Sequence, residues 1–397
     1  MKKLLIMILA VLMTVALFAA CTPEPAVPDA PAEEPAEEPA EEPAEEPAEE
    51  PAEEPAEASG YEIAMVTDKG DIDDKSFNQG TWEGVVEFAE ANGITHKYYK
   101  PTEISVDAYV AAIDLAVTGG AKIVVAPGFL FEGAIFAAQD LYPDIKFILI
   151  DGFPNDGNWG AEGGPEFRIE PNVYSVIFKE EQVGFLAGAA AVKEGFTKLG
   201  YLGGQAVPAV VRYGYGFIQG AEYMAGQMGL DSIEIQYFYT GDFAATPENQ
   251  AKAAAWYAGG TEVIFAAGGS VGSSAMAAAE AAGGKVIGVD VDQSGDSASV
   301  VTSAMKGLGF MVQGGLAGYL ADDFRGGISD VVGLAEKALG LEMGNSRFEI
   351  FTQADYDAFL ADLIADKDGV ASAILNDTAG ASPEDIEVSI VTLVFDK

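Results

Sequence analysis

The sequence predicts an α/β protein with two lobes, each a doubly wound parallel sheet, and a cleft between them. Short apolar runs alternate with helical stretches rich in Ala, Glu and Leu from residue 61 onward, a pattern typical of parallel sheets. Residues 60–397 are enough for two lobes at roughly 100–200 residues per domain. Several runs end in polar or glycine-rich turns, and ligands of such sheets bind beyond the carboxyl ends of the strands.

The apolar runs have the length of buried strands, and helical stretches lie between them. We assign strands to residues 61–67, 122–126, 147–150, 173–178, 198–202, 263–267 and 286–289, and a last strand to 387–395.

The amino terminus has the features of a secretory signal. Lys2 and Lys3 precede an apolar run from Leu4 to Ala20, which we assign as a signal peptide over residues 1–20. Ala19-Ala20-Cys21 resembles the lipobox of bacterial lipoproteins, so we expect Cys21 to be acylated and to become the first residue. A plain signal peptide or a retained anchor is the alternative.

Residues 21–59 predict a disordered spacer. The tetrad Pro-Ala-Glu-Glu repeats from Pro31 to Glu54. Proline at every fourth position removes helix donors and the acidic pairs repel one another, so this segment cannot bury a core. We expect an extended tether between the acylated Cys21 and the folded part; a repeat whose length has no function is the alternative.

Composition excludes several classes of function. The net charge of −42, from 63 acidic and 21 basic residues, disfavours a nucleic-acid partner, which needs clustered Lys and Arg. One Cys and one His cannot form an internal disulfide or a structural zinc site. We interpret His96 as an ordinary surface or edge residue.

Polar side chains follow several of the assigned strands. Asp68 opens a polar segment after the first, Asp151 and Asp290 follow two others, and Gly268-Gly269 follows residues 263–267. Val301-Thr302-Ser303-Ala304-Met305 leads to Lys306. Carboxylates, one lysine and bare glycine amides at strand ends favour a small polar ligand.

Motifs typical of nucleotide-binding enzymes and of calcium sites are absent or incomplete in the sequence. The sequence contains no G-x-G-x-x-G that opens a helix and no G-x-x-x-x-G-K-[ST]. The segment from Asp290 imitates the start of an EF-hand, but Val301 stands where a bidentate Glu is needed. Asp71, Asp73 and Asp74 form either a cation site or an acidic turn that caps the next helix. We expect no catalytic residues, no metal and no cofactor.

Several motifs together resemble the basic membrane protein family, whose purine nucleoside receptor lipoproteins serve ABC importers. The most specific is Val66-Thr67-Asp68 followed by Asp71-Ile72-Asp73-Asp74-Lys75-Ser76-Phe77-Asn78-Gln79 and Trp82-Glu83-Gly84. The resemblance continues in order through Phe147-Ile148-Leu149-Ile150-Asp151, Gly184-Phe185-Leu186-Ala187-Gly188, Phe265-Ala266-Ala267-Gly268-Gly269, Gly288-Val289-Asp290-Val291-Asp292-Gln293 and Thr302-Ser303-Ala304-Met305-Lys306. It fades after Ala321.

The resemblance implies a periplasmic-binding-protein type I fold and a ligand held between the lobes. In the family, two phenylalanines sandwich the base, and an acid and a lysine hold the ribose. Carried over by motif, the base-stacking residues are Phe77 and Phe243; the polar contacts are Asp68, Asn78 and Asp151; the ribose contacts are Asp290 and Lys306; and Gly268 and Gly269 allow close approach of the backbone. Each residue also has a structural alternative: a core phenylalanine, a helix-capping aspartate or a surface lysine.

The chemistry of these residues fits a purine nucleoside. An aromatic face on each side of a base contributes roughly 1–3 kcal/mol per stack. Carboxylates accept hydrogen bonds from base N–H groups or ribose hydroxyls. A pocket rich in carboxylates disfavours phosphates, so we predict nucleosides rather than nucleotides.

We therefore expect a lipid-anchored, extracytoplasmic, monomeric solute-binding protein that delivers guanosine, adenosine or inosine to ABC permease subunits. The N-terminal lobe would comprise residues 60–175 and 305–326, and the C-terminal lobe 176–304 and 327–397. Residues 155–172 form a loop longer than the family's and are expected to alter the rim of the cleft. A ligand sensor or adhesin of the same fold, a binder of another small polar solute, and a nucleoside hydrolase are the alternatives.

Overall fold

The computed structural model describes residues 61–376 and 382–395. The predicted signal peptide, Cys21 and the spacer lie outside the described residues. The elements follow in chain order: β1 (Ile63–Val66), α1 (Phe77–Asn92), β2 (His96–Tyr99), α2 (Val106–Thr118), β3 (Ile123–Pro127), α3 (Glu132–Leu141), β4 (Lys146–Ile150), β5 (Val173–Phe178), α4 (Glu180–Glu194), β6 (Lys198–Gly203), α5 (Pro208–Met228), β7 (Ile233–Tyr239), α6 (Pro247–Ala258), β8 (Val263–Ala267), α7 (Val271–Ala282), β9 (Lys285–Asp290), β10 (Val300–Lys306), α8 (Leu308–Leu320), β11 (Ile328–Val332), β12 (Leu339–Leu341), α9 (Gln353–Ile364), α10 (Val370–Ala373) and β13 (Val391–Phe395).

The described strands form two sheets, one in each lobe. The first has the order β11-β5-β4-β3-β1-β2 and is parallel throughout. The second has the order β12-β10-β9-β8-β6-β7-β13 and is parallel except for the pair β10–β12. The two sheets have the predicted α/β class and the doubly wound character. Because the strands of each sheet run parallel, their carboxyl ends lie along one edge.

The central strands are buried on both faces, which explains their continuous apolar runs. All residues of β1, β3 and β8 are buried. The assigned strands at 173–178 and 263–267 coincide with β5 and β8. The last assigned strand is shorter than expected: β13 begins at Val391, and the backbone N–H groups of residues 389–391 donate to the Glu222 carboxylate.

The three predicted lobe boundaries all lie too early in the chain. β5 continues to Phe178 in the first sheet and β10 to Lys306 in the second, past the boundaries expected at 175 and 304, and the third boundary is the furthest off. We expected residues from 327 onward to belong to the second lobe, but β11 pairs in parallel with β5 in the first sheet, from Ile328 opposite Tyr174 to Val332 opposite Phe178. As an edge strand, β11 has two exposed, two half-buried and one buried residue, and it includes the polar Ser329 and Asp330. It therefore lacks the continuous apolar run that identifies a buried strand.

The chain passes between the sheets in three segments. The first joins β5 to α4 at Lys179, the second joins β10 to α8 at Gly307, and the third joins β11 to β12. Helix α8 packs against α1 of the first lobe, where an added Cβ on Gly84 would meet the Cα of Gly309 at 2.5 Å. These segments lie next to the residues at the strand ends that we singled out from the sequence.

Candidate ligand-binding cleft

A cavity lies between the carboxyl ends of the strands of the two sheets. Its empty volume is about 680 Å³, counting space that opens to solvent, within the roughly 300–1,000 Å³ usual for small-molecule sites. All nine residues singled out from the sequence line it: Asp68, Phe77, Asn78, Asp151, Phe243, Gly268, Gly269, Asp290 and Lys306. No residue of the loop 155–172 is among the lining residues, so the described cavity gives no support to its expected effect on the rim.

The loop between β1 and α1 is held by its own carboxylates. Asp74 accepts hydrogen bonds from the backbone N–H groups of Ser76, Asn78 and Gln79, at 2.9–3.1 Å, and so caps α1. Asp68 Oδ1 accepts from the Gly70 N–H at 2.7 Å and from Asn78 Nδ2 at 2.8 Å. The sequence left open whether this acidic turn is a cation site or a helix cap, and the hydrogen bonds of Asp74 are those of a helix cap.

Burial leaves the Asp68 carboxylate less favourably solvated than in water. Burial raises its pKa to about 6, although the hydrogen bonds from Gly70 and Asn78 act in the opposite direction. The Asp68 carboxyl therefore changes charge close to physiological pH.

The two phenylalanines predicted to stack on the base reach the cavity from opposite lobes. Phe77 is the first residue of α1 in the first lobe, and Phe243 lies between β7 and α6 in the second. Gly204 follows β6 and lies against the Phe243 ring, since an added Cβ there would come 2.6 Å from its Cδ1. The absence of a side chain at Gly204 thus leaves room for the Phe243 ring in the cavity wall.

Lys306 is a buried cation between two carboxylates. Its Nζ donates to Asp151 Oδ2, which comes from the first lobe, and to Glu180 Oε1 at 2.6 Å. Burial lowers the pKa of Lys306, but Asp151, Glu180 and Asp290 outweigh burial and raise it above its usual value. Burial raises the pKa of Asp151, and Lys306 offsets part of that rise. The second oxygen of Asp151 is buried and has no hydrogen-bond partner among the described residues.

Asp290 joins the two lobes at another point of the cavity. Its Oδ2 accepts from Ser76 Oγ of the first lobe at 2.5 Å, and its Oδ1 accepts from the Tyr213 hydroxyl of α5 at 3.2 Å. Burial raises the pKa of Asp290, while Lys306 lowers it.

Sequence reasoning missed several residues that line the cavity or lie directly behind its wall. Tyr213, Val207 and Val210 of the second lobe line it, and they lie in or next to a helix with no polar motif to identify them. Glu180 was missed although it lies two residues after an assigned strand, at the kind of position that identified Asp151. A search for carboxylates within two positions of the end of the strand at 173–178 would have found it.

The remaining features that the sequence singled out lie away from the cavity. His96 contacts the Trp82 ring at a centroid distance of 5.4 Å, in the edge strand β2. No group of three His, Cys, Asp or Glu side chains in residues 61–376 and 382–395 is arranged to hold a metal ion. Over the same residues, no helix combines the length and the apolar character needed to cross a membrane.

Comparison with solved structures identifies the fold. The chain is similar to an ABC transporter solute-binding protein from Aeropyrum pernix, with a TM-score of 0.62 and 23% identity over 79% of this chain and 89% of that one. It is also similar to a solute-binding protein from Conexibacter woesei, with a TM-score of 0.59 over 80% and 99% of the two chains. The fold is the periplasmic-binding-protein type I fold.

Two proteins that are similar to this chain in sequence have names that refer to the same group of proteins. The chain is 28% identical over 313 residues to the "ABC transporter nucleoside-binding protein BmpA" of Lactococcus lactis subsp. cremoris, covering 73% of this chain and 83% of the relative. It is 28% identical over 289 residues to "Basic membrane protein A1" of Borrelia garinii subsp. bavariensis, covering 70% and 79%.

The family model described as "ABC transporter substrate-binding protein PnrA-like" matches residues 61–373. This range includes the first sheet, the second sheet except β13, and every residue that lines the cavity. The protein therefore belongs to the basic membrane protein (Bmp) family, the extracytoplasmic substrate-binding proteins of ABC transporters.

Proposed function

We propose that this protein captures a purine nucleoside between its lobes and delivers it to an ABC importer. The observation that carries the proposal is the placement of Phe77 and Phe243, one from each lobe, on a cavity whose other walls hold carboxylates and one lysine. A base between two rings is stabilised by roughly 1–3 kcal/mol per stack. The name of the Lactococcus relative, a nucleoside-binding protein, supports the same ligand class.

The polar residues suit the two ends of a nucleoside. Asp68 and Asn78 supply acceptors and donors for the edge of a base, and Asp151 offers a buried oxygen that lacks a described partner. Asp290 and Lys306 supply an acceptor and a donor for ribose hydroxyls, and Gly268 and Gly269 let the ligand approach the backbone. Charged hydrogen bonds of this kind are about twice as strong as neutral ones.

The charge of the cavity favours an uncharged ligand. Asp68, Asp74, Asp151 and Asp290 line it together with Lys306, and Lys306 already bridges two carboxylates. A phosphate would meet this excess of acids without an unpaired cation among the described lining residues. We therefore propose that nucleosides are bound in preference to nucleotides.

The proposed mechanism is a population shift. A ligand that contacts Phe77 of one lobe and Phe243 of the other favours the closed arrangement, which a permease then recognises. We propose that an acyl group on Cys21 holds the monomeric protein at the outer face of the membrane. The protein itself catalyses no reaction in this scheme.

Titration calorimetry over guanosine, adenosine, inosine and their monophosphates tests the ligand. We expect at least one nucleoside to bind with a micromolar or lower Kd, and its monophosphate to bind more weakly. Phe77→Ala should weaken binding roughly 5- to 140-fold, which corresponds to the loss of one stack. Phe310→Ala is the matched control, because Phe310 is 67% exposed on α8 and does not line the cavity.

Two results would contradict the proposal. One is the failure of all three nucleosides to bind more tightly than about 1 mM, and the other is tighter binding of a monophosphate than of its nucleoside.

A further inference from the structure

Glu180 is a fully buried carboxylate behind the cavity wall. It is the first residue of α4 and follows β5 by two positions, where the chain leaves the first sheet. Its side chain has no solvent exposure, and it is not among the residues that line the cavity. Burying an unpaired carboxylate costs several kcal/mol, so the partners of Glu180 explain its presence.

Both oxygens of Glu180 accept hydrogen bonds from cations. Lys306 Nζ donates to Oε1 at 2.6 Å, and Arg212 Nη1 donates to Oε2 at 2.8 Å. Burial raises the pKa of Glu180, but Lys306 and Arg212 outweigh burial and hold it below its usual value. Glu180 is therefore an ionised carboxylate between two positive charges.

Glu180 belongs to a row of alternating charges that joins the lobes. Asp151 belongs to the first lobe, Lys306 ends β10, Glu180 begins α4, and Arg212 lies on α5. Lys306 and Glu180 each lie at one of the segments where the chain passes between the sheets. Their contact ties these two segments together directly behind the cavity.

This pairing determines how Lys306 meets a ligand. An ammonium group has three N–H donors; Asp151 and Glu180 accept two, which leaves one for a ligand. A lysine held on both sides loses little rotamer freedom when a ligand binds, and this lowers the entropic cost of association. Without the Glu180 charge, Asp151 alone would attract Lys306 strongly, and the ammonium would no longer be held from two sides.

We propose that Glu180 is a positioning residue that fixes the Lys306 ammonium in the cleft and thereby determines the affinity for the hydroxyl groups of the ligand. This inference rests on the proposed function, in which Lys306 contacts the ribose. Glu180 acts through Lys306 and touches no ligand itself.

The test is Glu180→Gln, which keeps the side-chain shape and removes the charge. Its Kd is measured for guanosine, adenosine and inosine and for their 2′,3′-dideoxy counterparts, which lack the hydroxyls. We expect the nucleosides to bind at least tenfold more weakly and the dideoxy compounds to change less than threefold. Nitrogen-15 NMR of lysine ammonium groups gives a second readout that needs no ligand: the slowly exchanging signal of a buried, doubly paired ammonium should be lost in the variant.

Glu181→Gln is the matched control. Glu181 is also buried in the first turn of α4, and we expect its variant to keep both the affinities and the ammonium signal. If Glu180→Gln does not fold, Glu180→Asp replaces it. We expect nucleoside affinity to fall more than dideoxynucleoside affinity here too, but by a smaller factor, because the charge is kept and moves back by one methylene.

Three outcomes would overturn the inference: unchanged nucleoside binding in the variant, an equal loss for nucleosides and dideoxy compounds, or an unchanged ammonium signal. If the wild-type protein binds no nucleoside, the proposed function fails, and the ammonium signal alone then decides whether Glu180 positions Lys306.

Discussion

Asp151 and Asp290 both turn into the cavity through an unusual backbone conformation. Their φ angles are +60° and +66°, in the left-handed region, and each follows or ends a parallel strand. Such a conformation is uncommon for residues other than glycine, although Asp tolerates it better than most. Strain of this kind is found where the surrounding structure holds a side chain in place for a ligand, and both aspartates line the cavity.

At the level of one residue, the buried Asp68 carboxylate lowers the free energy of unfolding at neutral pH. Its pKa in the folded protein, about 6, lies above the 3.8 of an unperturbed Asp. The folded state therefore holds the proton more tightly than the unfolded state, so the free energy of unfolding falls as pH rises from about 4 to about 6. Above pH 6 the penalty is on the order of 3 kcal/mol, at 1.36 kcal/mol per pKa unit.

Asp68→Asn should remove this penalty while weakening ligand binding. We expect the variant to be more stable than wild type at pH 8, with the difference vanishing near pH 4, in urea unfolding followed by circular dichroism. Asp73→Asn, an exposed aspartate of the same loop, should show no such pH-dependent gain. A variant less stable than wild type at pH 8 would show that the hydrogen bonds of Asp68 outweigh its burial.

At the level of elements, helices α4 and α5 pack unusually closely. Gly184 and Gly188 of α4 face α5, and Gly216 and Gly220 of α5 face α4; an added Cβ at any of them would clash with backbone atoms of the other helix. The close approach brings the start of α4 beside Arg212, so that Glu180 can pair with it. Glycine is required at these four positions because no side chain fits between the helices.

Gly220→Ala should therefore destabilise the protein. The new methyl group would overlap the Phe185 carbonyl oxygen, and overpacking of this kind typically costs 1–3 kcal/mol. Gly314→Ala provides the opposite control, because Gly314 lies in α8 with no atom within 4 Å of an added Cβ. Alanine there should stabilise by roughly 0.5–1 kcal/mol. Urea unfolding of the two variants measures both effects, and equal stabilities would contradict the packing argument.

At the level of the whole molecule, hydrogen bonds join the lobes across the cleft. Ser76 Oγ donates to Asp290, and Gln293 Nε2 of the second lobe donates to the Lys75 carbonyl of the first at 2.7 Å. In the proposed mechanism these contacts act together with the ligand to favour the closed arrangement. Weakening the Gln293 contact, which does not line the cavity, should therefore lower ligand affinity.

Gln293→Glu tests this coupling. The variant keeps Oε1 as the acceptor for the Val289 N–H but places an oxygen opposite the Lys75 carbonyl. We expect at least tenfold weaker nucleoside binding, because the variant loses this hydrogen bond and places a carboxylate at a buried position opposite a carbonyl, and a larger radius of gyration in small-angle X-ray scattering. Gln250→Glu, on the exposed face of α6, should change neither value; an unchanged Kd for Gln293→Glu would remove this contact from the closing mechanism.

The sequence determined the features that depend on local pattern. Continuous apolar runs predict buried parallel strands because both faces of such strands are covered, and the residues directly after them reach the edge where ligands bind. Six of the predicted site residues stand at such positions: Asp68, Asp151, Gly268, Gly269, Asp290 and Lys306. Phe77, Asn78 and Phe243 were predicted from the family resemblance. All nine line one cavity, although their contacts with a ligand stay a proposal.

Only the tertiary structure decided which groups meet across the fold. Edge strand β11 lacks an apolar run, so its place beside β5 depends on pairing between segments about 150 residues apart. The contacts of Lys306 with Asp151 and Glu180 join residues separated by 155 and 126 positions. Local sequence pattern reports burial and periodicity, but it carries no information about the partner of a buried charge, and that partner determines the charge state and position of Lys306 in the cleft.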